Sequence, residues 1–214
     1  MQPHVFFVDG PNAVGKDYFI EGLTNTINEL HPEVEVINIR ATDYLPKKVV
    51  RKYENDQTNR VFAEEIFRGH IKLLCDIADK AKENTVIILN RTLITYLVYN
   101  VYPRLQALSD RVDGDYDEVH SSIEIYGLLL QKVLPDAQTT FVRLDLPGDS
   151  VQATEDTIER MLARGESKEI DKTWVRYLID QFRENYDTHY TSYKNYVHCS
   201  SEHYKIVAKK YLVN

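Results

Sequence analysis

Cysteine is nearly absent: Cys75 and Cys199 are the two in 214 residues. They lack metal-ligand spacing and cannot form a disulfide framework, which fits a reducing compartment and makes a cytoplasmic protein the expectation. No apolar run approaches the ~20 residues that span a bilayer. The first strand-like run begins at Val5 with no basic segment ahead of it, so neither a signal peptide nor a membrane span is expected. Basic residues are outnumbered, 26 Lys and Arg against 33 Asp and Glu, and the net charge of −7 excludes wholesale coating by nucleic acid, though not a local basic patch. Internal repeats and low-complexity tracts are also missing. The seven histidines have no convincing ligand partners, and no chemistry is assigned to them.

What is present is enough apolar side chain, 43% of residues, for one sizeable core, so a single domain over 1–214 is expected. Apolar runs suited to buried strands recur at Val5–Val8, Val34–Ile39, Val86–Leu89 and Thr140–Leu146, with a weaker one at Tyr196–Cys199. Helical patterns fill the gaps, and Tyr204–Leu212 reads as a last amphipathic helix. Strands apolar on both faces that alternate with helices predict an α/β fold, a five-stranded parallel sheet with helices on both faces and right-handed crossovers. In such a sheet ligands gather at the carboxyl ends of the strands. The stretch Ser109–Glu118, with Asp110, Asp113, Asp115 and Asp117 around Gly114, reads as a solvated loop, because it lacks the full pattern of a calcium loop.

Val5–Val8 runs directly into Asp9-Gly10-Pro11-Asn12-Ala13-Val14-Gly15-Lys16-Asp17, followed by Tyr18, Phe19, Ile20, Leu23 and Ile27 on one expected helical face. Strand, G-x4-G-K and helix together are the signature of a phosphate-binding loop. Gly10 and Gly15 let the backbone turn its N–H groups toward a di- or triphosphate, Lys16 supplies a movable charge, and the helix offers its positive end. ATP or GTP is the predicted ligand, with Gly10 to Asp17 as its cradle. The position after the lysine ordinarily carries Ser or Thr, whose hydroxyl ligates Mg²⁺, and here it is Asp17. A carboxylate is also a hard oxygen ligand, so Asp17 is a candidate metal ligand. The plainer reading, an acid in the first helical turn favoured by the dipole, stays open beside it.

The segment Asp9 to Lys16 resembles the opening of thymidylate kinases and related deoxynucleoside kinases, in which an acidic residue and a glycine begin the loop. Two further segments extend the resemblance. Asn90-Arg91-Thr92 follows the third apolar run where those families carry an acid, an arginine and a small or aromatic residue. Thr157 to Glu166, with Arg160, Arg164 and Gly165 and with Asp171 beyond, resembles the lid of thymidylate kinases, here over about 157–172. The resemblance implies that Arg91, Arg160 and Arg164 neutralise the transferring phosphoryl group and that an acid helps organise the metal. Arginines suit this because they stay charged and fork onto phosphate oxygens. Asn90 departs from the pattern, and Asp17 or Asp9 is expected to compensate. An ordinary amphipathic helix ending at Gly165 is the plain alternative to a lid.

The same families place a catalytic carboxylate just beyond the second strand, which makes Asp43 the candidate base, with capping of a helix near Leu45 as the competing role. Lys47, Lys48, Arg51 and Lys52 form a basic patch beside the presumed acceptor pocket. It reads as a solvated face, as a grip with Arg40 and Arg68 on a 5′-phosphate, or as a track for DNA whose modified base is flipped into the pocket. Tyr44, Tyr53, Phe62, Phe67, Tyr96 and Tyr99 are available for stacking on a base. The expected activity is therefore ATP- and Mg²⁺-dependent phosphorylation of a deoxypyrimidine nucleoside or nucleotide. A kinase of 5-hydroxymethylpyrimidine within DNA, as in some phage enzymes, is the first alternative, and a regulatory NTP-binding switch is the second. No guanine-specifying N-K-x-D element supports the switch. A homodimer, as thymidylate kinases generally form, is compatible with the apolar helix faces.

Overall fold

The computed structural model describes residues 1–45, 59–96, 98, 114–165, 170–189 and 195–212, with 59–64, 96, 114–123 and 185–189 described as backbone alone. Five strands, β1 (His4–Asp9), β2 (Glu35–Arg40), β3 (Thr85–Asn90), β4 (Gln138–Leu144) and β5 (Tyr196–Cys199), form one sheet in the order β2-β3-β1-β4-β5. Every pairing is parallel, and Val8 lies opposite both Asn90 of β3 and Val142 of β4. The α/β architecture expected from the apolar runs is the one observed. The described helices are α1 (Lys16–Leu30), α2 (Asn59–Lys80), α3 (Gly114–Val133), α4 (Ser150–Ala163), α5 (Lys172–His189) and α6 (Tyr204–Leu212), with a helical turn at Leu93–Tyr96 and 3₁₀ turns at Ala41–Tyr44 and Ser201–His203.

Because side chains alternate across a strand, the sheet buries two separate apolar layers. Val5, Phe7, Ile87, Leu89 and Phe141 face Ile66, Leu73 and Ile77 of α2 and Tyr126 and Leu130 of α3. Phe6, Val8, Ile88, Val142 and Leu144 face Phe19, Leu23 and Ile27 of α1 and Val207, Ala208 and Leu212 of α6. The chain thus leaves β1 toward one layer and β3 toward the other. Adjacent strands whose connections depart to opposite faces open a crevice at their carboxyl ends, here between Asp9–Lys16 and Asn90–Thr92.

Three local expectations are corrected. Tyr18 does not join the buried face of α1: it is 55% exposed and meets Tyr204 edge-on, with ring centroids 5.8 Å apart. Strand β4 starts and ends two residues earlier than its apolar run, because Asp145 turns back to accept the Leu146 N–H at 2.8 Å. The stretch Ser109–Glu118 is not all loop, since Gly114–Glu118 open α3 with acids in the dipole-favoured first turn; residues 109–113 lie outside the described residues.

Candidate active site

The phosphate loop depends on two backbone positions. Gly10 has φ 147°, and a Cβ there would lie 2.4 Å from the Leu144 carbonyl oxygen, so neither the conformation nor the space admits a side chain. Gly15, φ 95°, precedes the first residue of α1, and a Cβ there would lie 2.7 Å from Ser201 Oγ. Inside this turn Lys16 Nζ donates to the carbonyls of Gly10 and Pro11, each at 2.7 Å. Burial, aided by the charges of Arg91 and Arg164 and opposed by those of Asp9 and Asp17, pushes the Lys16 ammonium down to about 7. Lys16, Arg91 and Arg164 therefore share one electrostatic neighbourhood that favours an incoming anion.

Asp9 has the parity of Val5 and Phe7 and faces away from α1. It is fully buried. Its Oδ1 accepts the Gly10 N–H at 2.9 Å and the Thr95 hydroxyl, while Oδ2 accepts the Thr92 N–H at 3.1 Å and the Thr92 hydroxyl. Four donors take up about the four lone-pair sites of a carboxylate. This geometry argues for a tie between the phosphate loop and the Arg91–Thr92 turn, and against the metal-ligand role expected for Asp9. Arg91 itself has φ 75°, costly for a residue with a Cβ, and its N–H donates to the Val8 carbonyl at 2.9 Å. The strained residue is held between that bond and the bonds from Thr92 to Asp9. Thr92 and Thr95 carried no signal in the sequence beyond following the arginine.

Asn90 has the parity of Val86 and Ile88, so it faces α1. There its Nδ2 donates to Asp17 Oδ1 at 3.1 Å. Asn90 Oδ1 is buried and accepts no hydrogen bond, a deficit of about 1–3 kcal/mol for an ordinary buried acceptor. Asp17 is exposed. The exposed Asp17 carboxylate, met by the amide nitrogen of Asn90, is a hard oxygen donor of the kind Mg²⁺ takes, with phosphates and water completing its shell. The residues present fit the metal.

On the acceptor side, Asp43 is exposed in the 3₁₀ turn that follows β2, at the carboxyl edge of the sheet. Leu45 is extended, and the residues after it, where the alternative role of Asp43 as a helix cap and the Lys47–Lys52 patch fall, lie outside the described residues. Tyr44 is turned away by a bond from its hydroxyl to Asp76 Oδ2, and Phe67 packs on the core. The side chains of Tyr53, Phe62, Tyr96 and Tyr99 lie outside the described residues. Arg40 and Arg68 are exposed. Arg164 caps the end of α4 and its charge acts on Lys16, whereas Arg160 lies exposed one turn earlier. Asp171 is a helix cap, accepting the N–H groups of Thr173 at 2.9 Å and Trp174 at 3.2 Å.

A charged cluster that sequence reasoning missed lies at the end of β4. Arg183 forks onto Asp145 with Nε–Oδ2 2.7 Å and Nη2–Oδ1 3.1 Å, and its Nη1 donates to Ser150 Oγ at 3.2 Å. Burial alone would push the Asp145 carboxyl up; bonds from His198 and Arg183, with the charges of Arg183 and Arg143, outweigh it and hold the group below the usual carboxylate range. The signal was the alternation Arg143-Leu144-Asp145 inside an apolar run. The cluster pins α5 to the start of α4, the helix that carries Arg160 and is capped by Arg164.

Fold and site together define a parallel α/β domain with a phosphate-binding loop at the carboxyl ends of its strands. No family model matches the chain, and none of the curated proteins does. Among solved structures it is similar to a deoxyadenosine kinase from M. mycoides with products dCMP and a flexible dCDP bound, at 17% identity over 96% of this chain and 97% of that one, with a TM-score of 0.45. At that level the likeness is one of chain path. No helix among the described residues is long and apolar enough to cross a membrane.

Proposed function

We propose that the protein is a phosphotransferase that moves the γ-phosphoryl group of ATP, with Mg²⁺, to a deoxypyrimidine nucleoside or nucleotide. The observation that carries this reading is the glycine-framed loop in which Lys16 Nζ rests on the Gly10 and Pro11 carbonyls, with the charges of Arg91 and Arg164 acting on it and Asn90 Nδ2 bonded to Asp17 Oδ1 at its end. Lys16 and the loop N–H groups from Asn12 to Asp17 hold the β and γ phosphates, in a turn shaped by Gly10 and Pro11. Arg91 and Arg164, joined by Arg160 when the lid segment closes, neutralise charge on the transferring group. Asp43 orients the acceptor hydroxyl and takes its proton. Asp17 would hold Mg²⁺, which when bound would supply neutralisation of charge on the β and γ oxygens. The reaction needs placement and charge rather than a covalent intermediate. The whole chain acts as one domain, with its lid over about 157–172.

A second reading keeps the donor and takes a 5-hydroxymethylpyrimidine base within DNA as acceptor; its support is the run Lys47-Lys48-Val49-Val50-Arg51-Lys52 in an otherwise acidic chain. The test offers γ-labelled ATP and Mg²⁺ with three acceptor pools: deoxynucleosides, deoxynucleoside monophosphates, and duplex DNA with or without 5-hydroxymethyluracil. Label in a small-molecule pool supports the first reading. Label in modified DNA alone supports the second, and release of inorganic phosphate with no labelled acceptor in any pool overturns both.

A further inference from the structure

We propose that Arg183 and Ser150 are positioning residues: together they set the aim of α4 at its base, and so the reach of Arg164 toward a phosphate held in the loop. The inference deepens the phosphotransferase reading and rests on it for the phosphate that the arginine meets.

Arg183 gathers the whole connection between β4 and α4. Its Nε and Nη2 fork onto Asp145 just past β4, and Nη2 also reaches the carbonyls of Leu146 and Gly148 at 3.3 Å each. Its Nη1 donates at 3.2 Å to Oγ of Ser150, the first residue of α4, and the Ser150 hydroxyl donates in turn to Asp180 of α5. The other end of this clasp abuts the phosphate loop, since the Leu144 carbonyl fills the space where Gly10 would carry a Cβ. One guanidinium therefore ties the start of α4 to the strand against which the loop is built.

The far end of α4 depends on that base. The fully buried residues of the helix, Ala153, Thr154 and Thr157, all lie in its first half, whereas the second half adds the partly buried Ile158 and Met161, and Leu162 is 44% exposed. From Ser150 to Arg164 the helix is a lever of about 21 Å, so a tilt of about 10° at the base displaces the far end by about 4 Å, which separates an arginine on a phosphate from one beside it. With the clasp closed, the charge of Arg164 acts on Lys16. Small buried residues leave the direction of a helix adjustable, and a planar guanidinium with fixed donors does not.

The test is a double-mutant cycle between Ser150 and Arg164, read by calorimetry as affinity for adenylyl imidodiphosphate with Mg²⁺, which needs neither an acceptor nor transfer. Ser150→Ala leaves the buried Asp145–Arg183 fork and the Asp149 cap in place, and thermal melting checks that it folds as the parent does. It is expected to weaken binding of the analogue by about three- to tenfold, and Ser150→Thr, which keeps the hydroxyl, to bind as the parent does. In an Arg164→Ala background Ser150→Ala is expected to cost less than about twofold, because the arginine that it misaims is gone. Arg183→Lys, which has no fork to span Asp145 and Ser150, is expected to follow Ser150→Ala in the same cycle. A merely structural Ser150 would cost the same factor with and without Arg164. That result overturns the inference, as does unchanged affinity in Ser150→Ala or a Ser150→Thr variant that binds no better than Ser150→Ala. A coupled cycle in a protein that transfers no label would uphold the clasp and remove the phosphotransferase reading; a parent that does not bind the analogue would remove both.

Discussion

Asp9 and Thr92, 83 positions apart, are joined by two hydrogen bonds to one carboxylate oxygen, from the backbone N–H of Thr92 at 3.1 Å and from its hydroxyl. The other oxygen holds Gly10 and Thr95. One buried acid therefore closes the phosphate loop and fixes the turn that carries Arg91.

Thr92→Val removes one donor from that carboxylate and is expected to cost about 1–3 kcal/mol. Asp9→Ala strands several buried donors and should cost more, on the order of 3–5 kcal/mol. Urea unfolding checks both. If Asp9→Ala costs under about 1 kcal/mol, the tie is not what holds the loop.

Lys16, pushed down to about 7 by burial and by Arg91 and Arg164, is largely neutral above that pH in the free protein. A bound polyphosphate favours the ammonium, so binding at pH 8 should take up a proton, and affinity should fall as pH rises from 7 toward 9. Calorimetry in buffers of different ionisation enthalpy measures the uptake. Lys16→Arg, whose guanidinium stays charged, should abolish it; equal uptake in that variant would place the proton elsewhere.

His4 and His70 are buried, and burial pushes each down to about 4. The unfolded chain binds protons near pH 6.5 that the folded chain does not, so stability is full above 6.5 and is lost as pH falls toward 4. The loss is at most about 3 kcal/mol per histidine. Unfolding free energy measured from pH 7 to 4.5 should show this slope, and replacing one histidine by Gln should reduce it by up to one proton. A slope unchanged in both variants would assign the acid sensitivity to other groups.

Arg183 is the main partner of Asp145, whose side chain is 4% exposed. Arg183→Met leaves that carboxylate short of its fork and is expected to cost about 3–5 kcal/mol; Arg183→Lys recovers part of this, because an ammonium cannot fork. The midpoint of chemical denaturation reads both.

The strands and the loop were legible because their signals are local. Four residues apolar on both faces followed by G-x4-G-K specify strand, turn and helix together, and Tyr204–Leu212 was placed to the residue by its helical period. What could not be read depends on parity and on distant pairing. Whether Asp9 or Asp17 meets the end of β3 is decided by which face each presents, and Asp9 goes to Thr92 while Asp17 goes to Asn90. Asp171 read as part of a lid pattern because capping acids and functional acids look alike in sequence. Tyr18 was counted with the core because a tyrosine at the edge of the apolar stripe serves burial or exposure equally well.

The most direct measurement of the central claim is transfer of label from γ-labelled ATP by the parent protein and by Lys16→Ala, side by side, over the three acceptor pools. The account predicts a labelled acceptor with the parent and a loss of at least about 10³-fold with the variant, since the loop lysine faces the transferring group. Full transfer by Lys16→Ala, or only inorganic phosphate from the parent, would contradict it.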